Sequence, residues 1–237
     1  MTPNLLLLSP RFTDALTFAT ELHTLQTRKG TEGAGGVGTP AIPYIAHLLS
    51  VCALVLEHGG TETEAIAALL HDSVEDQGGP PRLQQVAARF GDKVAAIVEA
   101  CTDGPRERGA DGTPPPSWRE RKQTYVKHLH TEPAPVLLVS AADKRHNAQA
   151  ILDDLRAAKR QGEPDAAAVA EAALWARFKP GRASTLRYYE ALAAAYNRAS
   201  TVQNHPGLRR LVDEFTATVA ELGREAGAND EPAWALG

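Results

Sequence analysis

The sequence predicts an all-α protein, a single-domain helical bundle, and three observations support this fold class. Alanine is abundant and aromatic residues make up only 5% of the chain, as in many helical proteins. Leucine, valine and alanine recur at intervals of three and four residues in most segments. No segment shows the period of two that a half-buried strand requires. At 237 residues, the chain is long enough to bury a sizeable core.

The first predicted helix covers residues 11–27, where apolar residues return on one face. These residues are Phe12, Ala15, Leu16, Ala19 and Leu22. The glycine-rich stretch 30–43 cannot continue this helix. A second helix is expected over 44–58, and Gly59-Gly60 would end it.

A third helix changes character abruptly along its length. Thr61 or Thr63 is expected to cap its start, and Ala65–Leu70 is almost wholly apolar. The polar block His71–Asp76 follows directly. A buried helix that suddenly turns ionisable predicts that its end opens onto a cavity.

Glycine and proline divide the rest of the chain into shorter helical segments. We expect a turn at 78–81, a long surface loop at 103–117 and a polar break at 161–164. The remaining helices are predicted at 82–90, 93–102, 118–129, 133–155, 165–178, 184–199 and 207–223.

Composition narrows the class of protein. We expect one domain over 11–224, between an N-terminal extension at 1–10 and a flexible tail at 225–237. The formal charge of −4 argues against a general nucleic-acid binder, which carries a basic surface. No stretch approaches the roughly 18 apolar residues of a membrane span. Both cysteines lie in apolar helical patterns, as buried reduced residues do. We therefore expect a cytoplasmic protein that binds neither nucleic acid nor membrane; its oligomeric state stays open.

A set of ionisable residues on predicted helices carries the chemistry. It offers four ligand-type side chains of mixed nitrogen and oxygen character and two further carboxylates, the inventory of a divalent-metal hydrolase. The set is His47, His71-Asp72, Glu75-Asp76 and Asp143, with Asn147 one helical turn after Asp143. Because Asp and Glu are rarely buried without a partner or a cation, core packing is a poor explanation for them.

Helical spacing arranges the central block in two tiers. His71 and Asp72 point about 100° apart around a helix, so both can lean toward one ion between them. Glu75 and Asp76 each stand four residues later, on the faces of His71 and Asp72. One tier would hold the metal and the other would lie beside whatever the metal activates.

Simpler structural interpretations of the same residues stay open. The His71–Asp76 block could be a solvated acidic helix end, and Asp143 could form a surface pair with Lys144 or Arg145. His47 taken alone fits a core histidine. Arg28-Lys29 could clamp phosphate, or could only complement the end of a helix dipole. The other histidines are expected to be surface or capping residues, although His23 and His146 could approach the site.

The order His…His-Asp…Asp resembles the HD superfamily of metal-dependent phosphohydrolases. The surrounding sequence is similar to the hydrolase domain of the RelA/SpoT proteins and to the stand-alone small alarmone hydrolases related to the metazoan SpoT homologue. The resemblance covers roughly residues 11 to 200 and rests most on the nested HDxxED motif. The segments that carry it are Arg28-Lys29-Gly30, Pro43-Tyr44-Ile45-Ala46-His47, Ala67-Ala68-Leu69-Leu70-His71-Asp72-Ser73-Val74-Glu75-Asp76, Phe90-Gly91 and Ala142-Asp143-Lys144-Arg145-His146-Asn147.

This resemblance implies an HD-type helical bundle that binds one Mn²⁺ and removes pyrophosphate from the 3′ position of guanosine tetra- and pentaphosphate. It implies four metal ligands, His47, His71, Asp72 and Asp143. It also implies that the pair Glu75 and Asp76 positions and deprotonates the attacking water or protonates the leaving oxygen. The implied substrate-binding residues are Arg28, Lys29, Asn147, Lys144 and Tyr188 or Tyr189, followed by Lys179 and Arg182.

Two departures from the family pattern concern the nucleotide pocket. An insertion of several residues separates Gly30 from Pro43, so base preference is open. Arg145 replaces an apolar residue common after the Asp-Lys pair. Alternative readings are a hydrolase of the same fold acting on another nucleotide, such as the 2′-phosphate of NADPH or an adenine alarmone, and a catalytically inactive nucleotide-binding module.

Overall fold

The computed structural model describes residues 8–29, 41–102, 114–161, 163–227 and 232. Within these residues the regular secondary structure is helical, and the bridge between Thr27 and Pro43 is isolated. The predicted all-α class is confirmed. The helices are α1 (Pro10–Leu22), α2 (Ile45–Glu57), α3 (Glu62–Leu70), α4 (Ser73–Gln77), α5 (Gly79–Phe90), α6 (Asp92–Cys101), α7 (Trp118–His128), α8 (Ala134–Lys159), α9 (Pro164–Ala176), α10 (Gly181–Arg198), α11 (Ser200–Gln203) and α12 (Pro206–Ala226), with a 3₁₀ turn at Leu129–Thr131.

The described residues fall into two compact units. The first is drawn from Met1–Thr102 and Pro133–Asp143, and the second from Asp103–Glu132 and Lys144–Gly237. In the first, α3 packs against α1, α2 and α6, and its residues Ala65–Leu70 are fully buried. In the second, α10 packs against α12, α7, α9 and α11. The boundaries of one domain over 11–224 stay a prediction.

No helix among the described residues is both long enough and apolar enough to cross a lipid bilayer. Cys52 is buried as expected, whereas Cys101 is half-buried.

The predicted end of α1 was wrong. Ser9 accepts a hydrogen bond from the Arg11 N–H at the start of the helix, but the helix stops at Leu22 rather than near residue 27. The Gln26 carbonyl accepts from the Tyr44 N–H, and the Arg28 N–H donates to the Ile42 carbonyl. Because these backbone groups pair across the chain, they cannot continue an α-helical ladder.

The prediction of one helix through His71–Asp76 was also wrong in detail. Thr61 and Glu64 form a capping box at the start of α3, which ends at Leu70. His71 and Asp72 form a turn, with Asp72 at φ −93° and ψ −1°, and α4 begins at Ser73. The break lies where the apolar run meets the first two ionisable side chains.

The turn predicted at 78–81 is confined to its first residue. Gly78 has φ +132°, and Gly79, Pro80 and Pro81 already belong to α5. Proline suits the first turn of a helix, where the missing N–H has no partner to lose.

The tail predicted at 225–237 starts too early, because α12 continues to Ala226. Lys159 donates to the Glu225 carbonyl and Arg182 to the Ala226 carbonyl, which extends the helix by satisfying its last acceptors. Most of the predicted glycine-rich stretch, most of the predicted loop at 103–117 and most of the tail lie outside the described residues.

The turn between α2 and α3 generates a test of packing. A Cβ added to Gly60 would lie 2.4 Å from Val55 Cγ1 and 2.8 Å from the Val55 carbonyl oxygen, so Gly60→Ala must displace backbone. We expect the free energy of unfolding to fall by about 1–3 kcal/mol, measured by urea denaturation. Gly223→Ala is the matched control, because its added Cβ meets nothing within 4 Å inside α12 and alanine favours a helix. A Gly60→Ala variant as stable as Gly223→Ala would contradict the packing.

Candidate metal centre

Three buried side chains of the first unit form a cluster that could hold a metal ion. His47 lies on α2, His71 follows α3, and Asp143 lies on α8. One ligand atom from each falls within 4.8 Å of the other two. The three side chains are far apart in sequence, so the packing of α2, α3 and the first part of α8 brings them together.

Distances within the cluster are those of groups gathered around a common point. His47 Nε2 lies 3.2 Å from Asp143 Oδ1, and His71 Nε2 lies 3.6 Å from the same oxygen. Asp72 approaches both rings, with Oδ2 3.1 Å from His71 Nε2 and 3.6 Å from His47 Nε2. All four predicted ligands therefore converge, Asp72 as the more exposed member.

The orientation of His71 fits a metal ligand. Its Nδ1 lies 2.8 Å from the Ala68 carbonyl oxygen, so Nδ1 carries a proton and donates it there. Its buried Nε2 makes no hydrogen bond of acceptable geometry, although carboxylate oxygens lie close by. A nitrogen lone pair facing carboxylate oxygens is repulsive unless a proton or a cation lies between them. The donor set therefore fits a divalent ion.

The electrostatics of the cluster lead to the same requirement. Burial alone would lower the pKa of His71, but the carboxylates of Asp72 and Asp143 outweigh it and hold that pKa well above its usual value. Burial alone would raise the pKa of Asp72, but His71 and His47 hold that pKa well below its usual range. The carboxylates thus impose a positive charge at this point, which either an imidazolium or a metal ion satisfies.

Tyr44 supports the cluster in a role that the sequence analysis did not assign. Its hydroxyl donates to Asp72 Oδ2 at 2.5 Å, and its ring lies 5.5 Å from the His47 ring. Burial and the nearby Asp72 carboxylate raise the pKa of Tyr44, which keeps the phenol protonated as a donor. A Tyr three residues before the first histidine was the available signal.

The two carboxylates of the predicted second tier lie on α4. Glu75 is half-buried, and Asp76 is exposed as a whole residue. Asp76 Oδ2 nevertheless accepts a hydrogen bond of 2.8 Å from Gln26 Nε2. Partial burial of its carboxylate, and then the charge of Asp72, raise the pKa of Asp76.

His23 was expected to be a surface or capping residue that could approach the site. It is only 3% exposed, stacks on Tyr44 with ring centroids 5.1 Å apart, and hydrogen-bonds through Nδ1 to Gln26. Burial lowers the pKa of His23, which favours a neutral ring. Of the other histidines, His58 and His205 lie at helix ends, as expected.

The predicted substrate-binding residues are divided between the two units. Arg28 and Lys29 belong to the first, and the Arg28 backbone N–H bonds to Ile42, just before α2. The others, which belong to the second unit, are Lys144, Asn147, Tyr188, Tyr189, Lys179 and Arg182.

Within the second unit, several of these side chains already have protein contacts. Tyr188 is buried, with its ring 5.8 Å from Trp118 and 5.0 Å from Lys122 Nζ. Lys144 Nζ lies 5.3 Å from the Tyr125 ring. These aromatic and cation–π contacts stabilise the unit, and a role in substrate binding stays a prediction.

Two arginines of the second unit contact α12. Arg182 donates to the Ala226 carbonyl, so at least one of its contacts is structural. Arg145, whose direction the sequence left open, lies half-buried with Nε 4.0 Å from Glu214 Oε2.

Comparison with known proteins identifies the family. The HD domain family model matches residues 15–186, most of the chain, and the chain belongs to this family. A Synechocystis protein named as a probable guanosine-3′,5′-bis(diphosphate) 3′-pyrophosphohydrolase is 32% identical over 133 residues, 56% of this chain but 16% of that protein. An Aquifex aeolicus protein named as the same hydrolase is 39% identical over 88 residues, 37% of this chain and 11% of that protein. The chain thus matches less than a fifth of the length of these relatives.

A solved structure shares the fold over nearly its whole length. It is described as a metazoan orthologue of SpoT that hydrolyses ppGpp and plays a role in starvation responses. The likeness covers 92% of this chain and 97% of that chain, with a TM-score of 0.59 and 20% sequence identity. At this identity, the likeness defines the helical fold.

The contact between Tyr44 and Asp72 predicts a measurable effect on metal binding. Tyr44→Phe removes the hydroxyl that holds the Asp72 carboxylate, and we expect the affinity for a divalent ion, with Mn²⁺ as the probe, to fall roughly 10- to 100-fold. Electron paramagnetic resonance of free Mn²⁺ during titration measures the affinity directly. Tyr125→Phe, the same atomic change in the second unit, should leave the affinity unaltered. Equal affinities for wild type and Tyr44→Phe would contradict the proposed support of Asp72.

Proposed function

We propose that this chain is an Mn²⁺-dependent hydrolase that removes pyrophosphate from the 3′ position of guanosine tetra- and pentaphosphate. The observation that carries the proposal is the convergence of His47, His71 and Asp143, with Asp72 beside them, in a chain of the HD domain family. The names of the Synechocystis and Aquifex relatives supply the substrate class.

His47, His71, Asp72 and Asp143 are the proposed ligands of one divalent ion. A ligand set of two imidazoles and two carboxylates suits Mn²⁺, whereas a thiolate-rich set would favour Zn²⁺. When bound, such an ion lowers the pKa of a coordinated water and neutralises charge on phosphate oxygens. The tautomer of His71 that is set by its bond to Ala68 would leave the Nε2 lone pair available to such an ion.

Glu75 and Asp76 are the proposed proton-handling pair. In the reaction, the oxygen of water forms a bond to the phosphorus, the bond from that phosphorus to the ribose 3′ oxygen breaks, and the departing oxygen receives a proton. One carboxylate accepts a proton from the water and a protonated group supplies one to the leaving oxygen. The raised pKa of Asp76 brings that carboxyl closer to the range useful for proton transfer.

Substrate binding is part of the same proposal. Arg28, Lys29 and Lys144 supply positive charge for a substrate with several phosphates. Asn147 would bond the ribose, and Tyr188 would lie near the nucleotide.

A nucleotide panel tests the substrate. With Mn²⁺, purified protein should release pyrophosphate from guanosine tetraphosphate, and EDTA should abolish the release because the ion activates the nucleophile. Ion chromatography separates pyrophosphate from orthophosphate. Release of orthophosphate from NADPH, or turnover of only an adenine alarmone, would show that the substrate is a different nucleotide. Nucleotide binding by metal-loaded protein without turnover of any nucleotide would make the chain an inactive binding module.

Variants of the two tiers should behave differently. His71→Ala and Asp72→Asn remove ligands, so we expect both bound Mn²⁺ and activity to be lost. Glu75→Gln should keep the ion and lower kcat by roughly 10²–10⁴-fold, because its role is in proton transfer. Metal content by atomic emission, measured beside kcat, separates the two classes. An equal loss of metal in Glu75→Gln would contradict this division.

A further inference from the structure

The side chain of Gln26 makes three hydrogen bonds near the proposed metal site. Its Nε2 donates to Asp76 Oδ2 at 2.8 Å. Its Oε1 lies 2.7 Å from His23 Nδ1 and accepts a bond of 2.7 Å from Gln77 Nε2. The amide thus uses both lone pairs of its oxygen and one of its two N–H groups.

The roles of donor and acceptor in this set follow from Asp76. A carboxylate only accepts hydrogen bonds, so the amide nitrogen of Gln26 must face Asp76 and its oxygen must face His23 and Gln77. His23 Nδ1 must then be the protonated nitrogen of that ring. Since His23 is 3% exposed and stacks on Tyr44, it gives Gln26 a rigid support.

The backbone of Gln26 connects this residue to the proposed metal site through Tyr44. Its carbonyl accepts from the Tyr44 N–H at 2.9 Å, and the Tyr44 hydroxyl donates to Asp72. Gln26 therefore holds Asp76 directly and is tied through Tyr44 to a proposed metal ligand. The carboxylates of Asp72 and Asp76 are therefore both connected to Gln26, on the turn after α1.

The contact between Gln26 and Asp76 lies at an accessible surface. Both side chains, with Gln77 and Leu25, line an open cavity of about 480 Å³. Asp76 is exposed as a residue, and the hydrogen bond from Gln26 restricts the rotation of its carboxylate. A hydrogen bond at this position contributes more to orienting a reactive group than to packing a core.

We propose that Gln26 is a positioning residue that fixes the Asp76 carboxylate for proton transfer in the hydrolytic reaction. The expected effect on kcat rests on the proposed function. The expected effect on the position of the Asp76 carboxylate rests on the hydrogen bonds alone. A misplaced proton-transfer group slows the chemical step without weakening substrate binding.

Substitution of Gln26 tests the role by its kinetic pattern. Gln26→Met keeps the size and the backbone bonds, and we expect kcat to fall roughly tenfold, with KM and Mn²⁺ affinity unchanged. Leu25→Met is the matched control, because it places the same side chain one residue away in the same cavity. It should keep wild-type kcat. Loss of Mn²⁺ affinity in Gln26→Met, or wild-type kcat, would overturn the proposal.

Gln26→Glu separates positioning from simple structural support. Glutamate keeps acceptors for His23 and Gln77 but loses the donor to Asp76 and places a like charge against it. We expect kcat to fall at least as far as in Gln26→Met. A purely structural role predicts the reverse order, because glutamate preserves two of the three side-chain hydrogen bonds.

A double-mutant cycle tests whether Gln26 acts through Asp76. If it does, Gln26→Met should lower kcat by less than about twofold in an Asp76→Asn background. Multiplication of the two losses would overturn the proposal, and so would an Asp76→Asn variant with wild-type kcat.

Crystal structures of the wild type and Gln26→Met test the positioning role of Gln26 separately from the proposed function. We expect one conformer of the Asp76 carboxylate in the wild type and several in the variant, whichever nucleotide is the substrate. A single unchanged Asp76 conformer in Gln26→Met would overturn the positioning role. Absence of pyrophosphate release from the wild type would overturn the proposed function alone.

Discussion

The structure of the first unit depends on balancing buried negative charge. Asp143 is buried, and Asp72 lies within 3.6 Å of both His47 and His71. Two carboxylates in such a place are costly unless positive charge lies between them. His71 can supply it by protonation, and a divalent ion would supply it while leaving the His71 ring neutral.

This requirement accounts for the local architecture. α3 is fully buried from Ala65 to Leu70 and ends where His71 turns back to bond the Ala68 carbonyl. The short α4 then carries Glu75 and Asp76 on a separate element. Breaking the helix at His71 and Asp72 lets the ligands face the cluster while the second pair of carboxylates takes its own direction. Tyr44 holds Asp72 in the turn, and Gln26 holds Asp76 on α4.

Much of this could be predicted from the sequence, because periodicity and the ligand-type residues are local signals. The helical class followed from apolar spacing, and the convergence of His47, His71, Asp72 and Asp143 followed from their chemistry and their family pattern. The end of α1 could not be predicted, because Gln26 pairs with Tyr44 and Arg28 pairs with Ile42, both at the far end of the glycine-rich stretch. The break after Leu70 was missed because the residues on both sides favour a helix.

The supporting residues were the hardest to predict. Gln26 has no distinctive pattern around it, and its role appears only when α4 brings Asp76 within hydrogen-bonding distance. His23 was expected to be a surface or capping residue; it follows the last residue of α1, and its ring is buried against Tyr44. The sequence predicts Glu75 and Asp76 beside the proposed metal site, but not the side chain that holds Asp76, since Gln26 comes from a turn 50 residues earlier.

We propose that one divalent cation lies among the side chains of His47, His71, Asp72 and Asp143. Crystals grown with MnCl₂ and measured on both sides of the manganese absorption edge test it most directly. We expect one anomalous peak within coordination distance of the side chains of all four residues. A map with no peak at that point, or with manganese held only elsewhere, would contradict it.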